Sequence, residues 1–226
     1  MAIIILLSVA ILSRRESVIF TGADAKTVNR KCIVIDAGHG GDDPGKIGIN
    51  NALEKDINLS IAEKLKALLE SQDYQVVMTR TTSEGLYQPG SKNMKVEDMR
   101  RRCEIITEAM PVFTVSIHQN SYTSPEVKGA QVFYYGQSPE GETLAKLVQK
   151  SLIERADPEN RRQAKANDTY YLLKRTVSPT IIVECGFLSC PQEALLLTQD
   201  SYQNRLVWAI HMGVMEFLNG VKETDL

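Results

Sequence analysis

Short apolar runs alternate along this chain with longer stretches in which apolar residues recur every three or four positions. The short runs predict strands at 32–36 (CIVID), 74–79 (YQVVMT), 112–117 (VFTVSI), 129–135 (GAQVFYY) and 180–185 (TIIVEC). The longer stretches predict helices at 53–71, 95–109, 139–155 and 201–218, and residues 81–93 and 157–170 predict loops. This alternation predicts an α/β fold, with a twisted, mostly parallel sheet flanked by helices on both faces.

The N-terminus breaks this pattern. Residues 2–12 (AIIILLSVAIL) are apolar and are followed by Arg14 and Arg15. This run is shorter than the roughly 17–25 residues of a membrane span, but it has about the length of a signal-peptide core. A buried strand or helix is the alternative. We favour export or membrane anchoring, because residues 13–30 resemble a polar linker. The expected organisation is a signal or anchor segment with linker at 1–30, one folded domain at 31–220 and a tail at 221–226. We expect the folded domain to lie outside the cytoplasmic membrane.

Composition narrows the range of partners. A chain of 226 residues is long enough for one large domain with a full core. The net charge of −2 gives no electrostatic reason to expect nucleic acid. An even count of four cysteines permits disulfides. Cys32 and Cys185 lie in apolar runs where free thiols are common, so we favour free thiols.

Three polar residues that are far apart in the sequence predict a metal site. His39 follows the first strand within a glycine-rich loop, Glu54 opens the first helix, and His118 directly follows the third strand. Two imidazoles and one carboxylate are the ligand set of a catalytic zinc that keeps a fourth position open for water. Because ligands bind at the carboxyl ends of parallel strands, we expect this zinc site at the C-terminal rim of the sheet.

Glu184 is the one charged residue in the apolar run 181–187 (IIVECGF). A carboxylate at the end of a buried strand is costly to desolvate unless it has a partner or a chemical task. The task that suits this rim is proton transfer beside the metal, from the attacking water to the leaving amine. A structural salt bridge is the alternative.

Other polar residues carry weaker signals. Asn120, two residues past His118, is assigned to a hydrogen bond with a substrate amide, with a turn residue as the alternative. The three arginines at 100–102 predict a solvated helix face. We expect one of them, Arg102, to reach toward the site and bind substrate. His211 lies in line with Val207 and Val214 on an apolar helical stripe, which favours a structural role.

Four stretches of the chain resemble the signatures of one enzyme family. They are VIDAGHGG, ALEKDINL, SIHQN and VECGFLS, in that order, and together they resemble the zinc-dependent N-acetylmuramoyl-L-alanine amidases, the amidase-3 family. The resemblance covers about residues 31–220. It implies zinc on His39, Glu54 and His118, with Glu184 as the catalytic glutamate. The implied reaction is hydrolysis of the amide bond between N-acetylmuramic acid and L-alanine in peptidoglycan.

Three further stretches resemble the sporulation members of this family: KVEDMRRRCEII, GAQVFYYG and VECGFLSCPQEALLL. This resemblance implies action on spore cortex as the first step toward muramic-δ-lactam, alongside a muramic acid deacetylase. It also implies a lipoprotein activator, as in some clostridia.

Two alternative functions have less support in the sequence. A zinc peptidase often carries both histidines on one helix as His-Glu-x-x-His, which this sequence lacks. The other alternative is a non-catalytic cell-wall-binding module. Absence of Glu184 or of one of the three ligands would have supported it, but all four residues are present.

Overall fold

The computed structural model describes residues 29–224. The strands are β1 (Asn29–Ala37), β2 (Gln75–Met78), β3 (Pro111–Asn120), β4 (Gln131–Tyr134), β5 (Lys165–Ala166) and β6 (Thr180–Phe187). The helices are α1 (Glu54–Glu70), α2 (Met94–Ala109), α3 (Pro139–Arg155), α4 (Tyr171–Arg175), α5 (Pro191–Leu197) and α6 (Asp200–Thr224). The predicted signal or anchor segment lies outside the described residues. Within them, no helix has both the length and the apolar character needed to cross a bilayer.

The described strands form one mixed sheet in the order β2-β1-β3-β6-β4-β5. Strands β2, β1, β3 and β6 are parallel neighbours, whereas β4 runs antiparallel to β6. The connection from β3 to β4 contains no crossover helix. Strand β4 therefore begins at the end of the sheet where β3 finishes and runs in the opposite direction. The predicted mostly parallel α/β fold is confirmed, with β4 and β5 as a reversed edge.

Helices cover both faces of the sheet because side chains alternate along each strand. On one face, Ile33, Ile35 and Ile117 belong to a core that also takes in α1, α3 and α6. On the other face, Val34 packs with Ile106 of α2 and Leu172 of α4. The predicted arrangement of helices on two faces is therefore confirmed.

Helix α1 positions the first residue of the site. Its buried apolar side chains recur at Ile57, Ile61, Leu65 and Leu69, which keeps one stripe of the helix against the sheet. Glu54 opens this helix, where the helix dipole favours a carboxylate. The short elements β5, α4 and α5 escape sequence prediction because two to seven residues show no clear periodicity.

Candidate metal centre

His39, Glu54 and His118 meet at the C-terminal end of the parallel strands. His39 lies in the loop after β1, Glu54 opens α1, and His118 lies on β3. One nitrogen or oxygen from each residue lies within 4.8 Å of the others, so the group could hold a metal ion. The structure thus brings together the three predicted ligands. His118 lies inside β3, which extends to Asn120, and not past its end as the sequence predicts.

Glu54 lies between the two imidazoles. Its Oε1 is 3.0 Å from His118 Nδ1 and 3.2 Å from His39 Nε2. The backbone N–H groups of Gln119 and Lys46 donate to its two carboxylate oxygens, at 3.0 and 2.7 Å. Burial, with 1% of the residue exposed, would raise the pKa of Glu54, but the hydrogen bonds with both histidines hold it well below the usual range. The carboxylate is therefore ionised and fixed in position.

A second carboxylate orients His39. The Oδ2 of Asp43 is 2.9 Å from His39 Nδ1, so the other ring nitrogen, Nε2, faces Glu54. Carboxylates that hold the outer nitrogen of a histidine in this way are typical of metal sites, because they fix its ring and tautomer. Asp43 is missing from the sequence prediction. Its position four residues after His39 in a glycine-rich loop is the only sequence signal for it.

Two buried arginines hold the backbone that carries His39. Arg102 donates to the carbonyls of Ala37 and His39, at 2.7 and 2.6 Å. Arg80 donates to the carbonyls of Ala37 and Gly38, at 2.9 and 3.0 Å. His39 has a φ of +62°, a left-handed conformation that is uncommon for a residue with a side chain. We infer that these hydrogen bonds help to hold it there.

The prediction that Arg102 binds substrate is wrong. Arg102 is only 1% exposed, and its guanidinium also pairs with Asp36 and Asp98. Of the three arginines assigned to a solvated helix face, only Arg100 and Arg101 are exposed. The periodicity of α2 did not identify Arg102 as buried because its acidic partner Asp36 lies 66 residues earlier on β1.

Asp36 stays charged within this network. Burial opposes its ionisation, but the Arg102 guanidinium and hydrogen bonds from Ser116 and Thr79 lower the pKa of Asp36 to about 2. This lies below the ordinary value of about 3.9. The ionised network therefore contributes stability above about pH 4, and this contribution is lost as the pH falls through about 2.

Glu184 lies on β6 directly opposite His118 on β3. It is buried, and its Oε2 has no hydrogen-bond partner among residues 29–224. Burial raises the pKa of the Glu184 carboxyl. The Tyr170 phenol faces this carboxyl, and burial together with the charge of Glu184 raises the pKa of Tyr170 to about 12. Among the described residues Glu184 forms no salt bridge with Lys or Arg, which weighs against the structural alternative.

Asn120 and His211 lie in different surroundings. Asn120 ends β3 two residues after His118, and its Oδ1 accepts a hydrogen bond from the backbone N–H of Ser121. Its role toward substrate stays a prediction. His211 is buried on α6, where its Nε2 lies 3.2 Å from Gln72 Nε2. It contributes nothing to the cluster of His39, Glu54 and His118.

Gly38 allows the His118 ring to pack against the loop. A Cβ added at Gly38 would lie 2.2 Å from His118 Cε1 and 2.3 Å from its Nε2. We expect Gly38→Ala to displace this imidazole and to weaken metal binding about 10- to 100-fold, as loss of a supporting residue does elsewhere. Titration of the purified protein with Zn²⁺ measures this. Gly220→Ala is the control, because its added Cβ meets nothing within 4 Å. An unchanged affinity in Gly38→Ala would contradict the packing argument.

One known protein family matches most of this chain. The family model described as N-acetylmuramoyl-L-alanine amidase matches residues 33–216. This chain belongs to the N-acetylmuramoyl-L-alanine amidase family. It is a hydrolase with N-acetylmuramoyl-L-alanine amidase activity on cell-wall peptidoglycan.

Individual amidases agree with this assignment. The germination-specific N-acetylmuramoyl-L-alanine amidase of Bacillus subtilis is 38% identical over 191 residues, which cover 83% of this chain and 79% of that protein. The solved structure of the CwlD amidase from Clostridioides difficile, in complex with the GerS lipoprotein, is 38% identical with a TM-score of 0.82. The match covers 84% of this chain and 99% of that one. The amidase AmiC2 of Nostoc punctiforme is 32% identical with a TM-score of 0.72, over 83% of this chain and 97% of that one.

Proposed function

We propose that this amidase uses zinc to hydrolyse the amide bond between N-acetylmuramic acid and L-alanine in spore cortex peptidoglycan, as the first step toward muramic-δ-lactam. The observation that carries the proposal is the position of Glu184, opposite His118 in the sheet and beside the cluster of His39, Glu54 and His118. Three ligating groups and one buried carboxylate beside them are the parts that zinc-assisted hydrolysis requires.

The chemistry of the donor set fits zinc. Two imidazole nitrogens face one ionised carboxylate oxygen, at 3.0 and 3.2 Å. Zinc sites of hydrolases combine nitrogen and oxygen donors in this number, whereas magnesium and calcium favour oxygen donors alone. His39, Glu54 and His118 would hold the ion, and Asp43 would fix the ring of His39.

Each residue of the site then has a defined task. When bound, zinc supplies a Lewis acid that makes water a better nucleophile and polarises the scissile carbonyl. Glu184 takes the proton from the attacking water and delivers it to the nitrogen of the departing L-alanine. Its burial raises the pKa of the carboxyl, which suits a group that must both accept and return a proton. Asn120 is proposed to donate a hydrogen bond to a substrate amide.

The cellular setting is also a proposal. Likeness to a germination-specific amidase supports a role in spore germination, and hence export beyond the cytoplasmic membrane. A muramic acid deacetylase would act on the product to complete the lactam. Likeness to an amidase solved with a lipoprotein supports a lipoprotein partner for this chain.

Mass spectrometry of cortex peptidoglycan provides the test. Incubation with the zinc-loaded protein is expected to release peptides that begin with L-alanine. Removal of the metal with a chelator is expected to abolish release, and added zinc to restore it, because the site lacks another Lewis acid among its side chains. His118→Ala is expected to lose both bound zinc, measured by elemental analysis, and activity.

The same spectra separate the alternatives. Fragments cut within the peptide would favour a zinc peptidase. Peptide release that appears only after addition of a lipoprotein fraction from spores would support the activating partner, and full release by the isolated chain would exclude the need for it. No release in either case, with zinc bound, would favour a binding module.

A further inference from the structure

A row of polar side chains extends sideways from the metal centre across the sheet. His118 on β3 lies opposite Glu184 on β6, and Glu184 lies opposite Gln131 on β4. Residues that pair directly across neighbouring strands share one face of the sheet. The row therefore runs from the metal ligand, through the proposed proton carrier, to the antiparallel edge of the sheet.

Arg162 closes the far end of this row. Its Nη1 lies 3.1 Å from Gln131 Oε1, and its Nε donates to the carbonyl of Lys128 at 2.8 Å. Its guanidinium carbon lies 4.6 Å from the centroid of the Phe187 ring. Phe187 is itself opposite Asn120 on β3. These contacts fix the cation on the side of Glu184 that is away from His39.

The charge of Arg162 has no ionic partner in the described part of the chain. Its side-chain contacts are with a carbonyl, a neutral amide and an aromatic ring. The carboxylate of Glu193 is near enough to sense this charge, but its oxygens accept hydrogen bonds from the backbone N–H groups of Gly129 and Phe187. Arg162 is only half-buried, so an anion from solvent can reach it.

The distances suit one anion of the substrate. Neighbouring strands lie about 4.8 Å apart, so Gln131 is roughly one strand spacing from Glu184, and Arg162 lies just beyond Gln131. In the stem peptide of peptidoglycan an acidic residue follows L-alanine and continues the chain through its side-chain carboxyl, so that its α-carboxyl group is free. Its α-carboxylate lies within about 7 Å of the nitrogen released by cleavage, because two residues span at most about that length.

We propose that Arg162 binds the α-carboxylate of the second residue of the stem peptide and makes this enzyme prefer a free carboxylate to a carboxamide there. The proposal rests on the proposed cleavage between muramic acid and L-alanine. A guanidinium forms charge-assisted hydrogen bonds with a carboxylate, and a neutral amide cannot replace them. Arg162 is thus a specificity-determining residue that takes no part in the proton transfer.

Two matched substrates test this preference. Both are glycan fragments with stem peptides, and they differ only in a free or an amidated α-carboxyl group on the second residue. We expect the wild-type protein to cleave the carboxylate substrate with a kcat/KM about tenfold to a hundredfold higher, the range for a hydrogen bond to a charged group. Arg162→Gln is expected to reduce this ratio to near one, through loss of activity on the carboxylate substrate.

Arg161→Gln is the matched control. Arg161 neighbours Arg162 but is 75% exposed and pairs with Glu159, so its loss is expected to leave the preference intact. Arg162→Lys keeps the charge without the planar fork and is expected to give an intermediate ratio.

The outcomes separate this inference from the proposed function. Equal cleavage of both substrates by the wild type would overturn the role of Arg162, even if Arg162→Gln failed to fold. A wild-type ratio that survives in folded Arg162→Gln would overturn it too. Cleavage of neither substrate by the zinc-loaded wild type, with or without spore lipoproteins, would instead reject the proposed function on which the inference rests.

Discussion

Replacing Glu184 with Gln is expected to lower kcat by about 10²- to 10⁴-fold while zinc stays bound. General acid and base catalysis contributes about this much to a rate, and an amide of the same shape cannot accept the proton of the attacking water. Glu184 is outside the cluster of His39, Glu54 and His118, so the metal content should match that of the wild type. Peptide release from cortex peptidoglycan and elemental analysis of the same preparation measure both quantities.

Protein stability provides the control for this variant. Glu184 is buried with one oxygen that lacks a hydrogen-bond partner among the described residues, so a neutral side chain costs no more to bury. We expect the Tm of metal-free Glu184→Gln to equal or exceed that of the metal-free wild type. Near-native turnover by this folded, zinc-loaded variant would reject Glu184 as the proton carrier.

Arg102→Met is expected to lower the free energy of unfolding by roughly 3–5 kcal/mol, the range for removing one partner of a buried ion pair. The substitution keeps an unbranched side chain of similar length but leaves Asp36 buried without its cation. It also frees the His39 carbonyl, so the metal affinity should fall together with the stability. Urea unfolding and Zn²⁺ titration measure the two effects.

Two further variants isolate the cause. Arg101→Met removes a neighbouring arginine that is 45% exposed, and it should change stability by about 0.5 kcal/mol or less. Adding Asp36→Asn to Arg102→Met removes the unpaired charge and should restore part of the lost stability. If Arg102→Met were as stable as Arg101→Met, the buried network would not hold the loop.

Local patterns predict the elements that matter most for this site. The spacing of Ile57, Ile61 and Leu65 predicts α1 almost to the residue, because one apolar stripe on a helix has a distinct period. The apolar runs predict β1, β3 and β6 because strands that are buried on both faces have nearly continuous apolar sequences. The direction of β4 depends on which strand it pairs with, and its own residues do not specify that.

The sequence does not predict the contacts of Arg102, Asp43 and Arg162. Arg102 belongs to a run of arginines that looks solvated, yet its partners come from β1 and from the His39 loop. The role of Asp43 in orienting His39 can be seen only from the direction in which the His39 ring points. Arg162 lies in a stretch that shows no periodicity, and its position beside Gln131 exists only in the folded chain.

The sequence by itself determined the α/β class, the family and the three residues that could hold a metal ion, because side-chain types and local periods can be read directly from the order of residues. Only the tertiary structure decided which oxygen faces which imidazole, and which arginines are buried and which are partly exposed. Those properties arise from contacts between residues such as Asp36 and Arg102, which are 66 positions apart. Such contacts form only when the sheet sets its register and the helices pack against it.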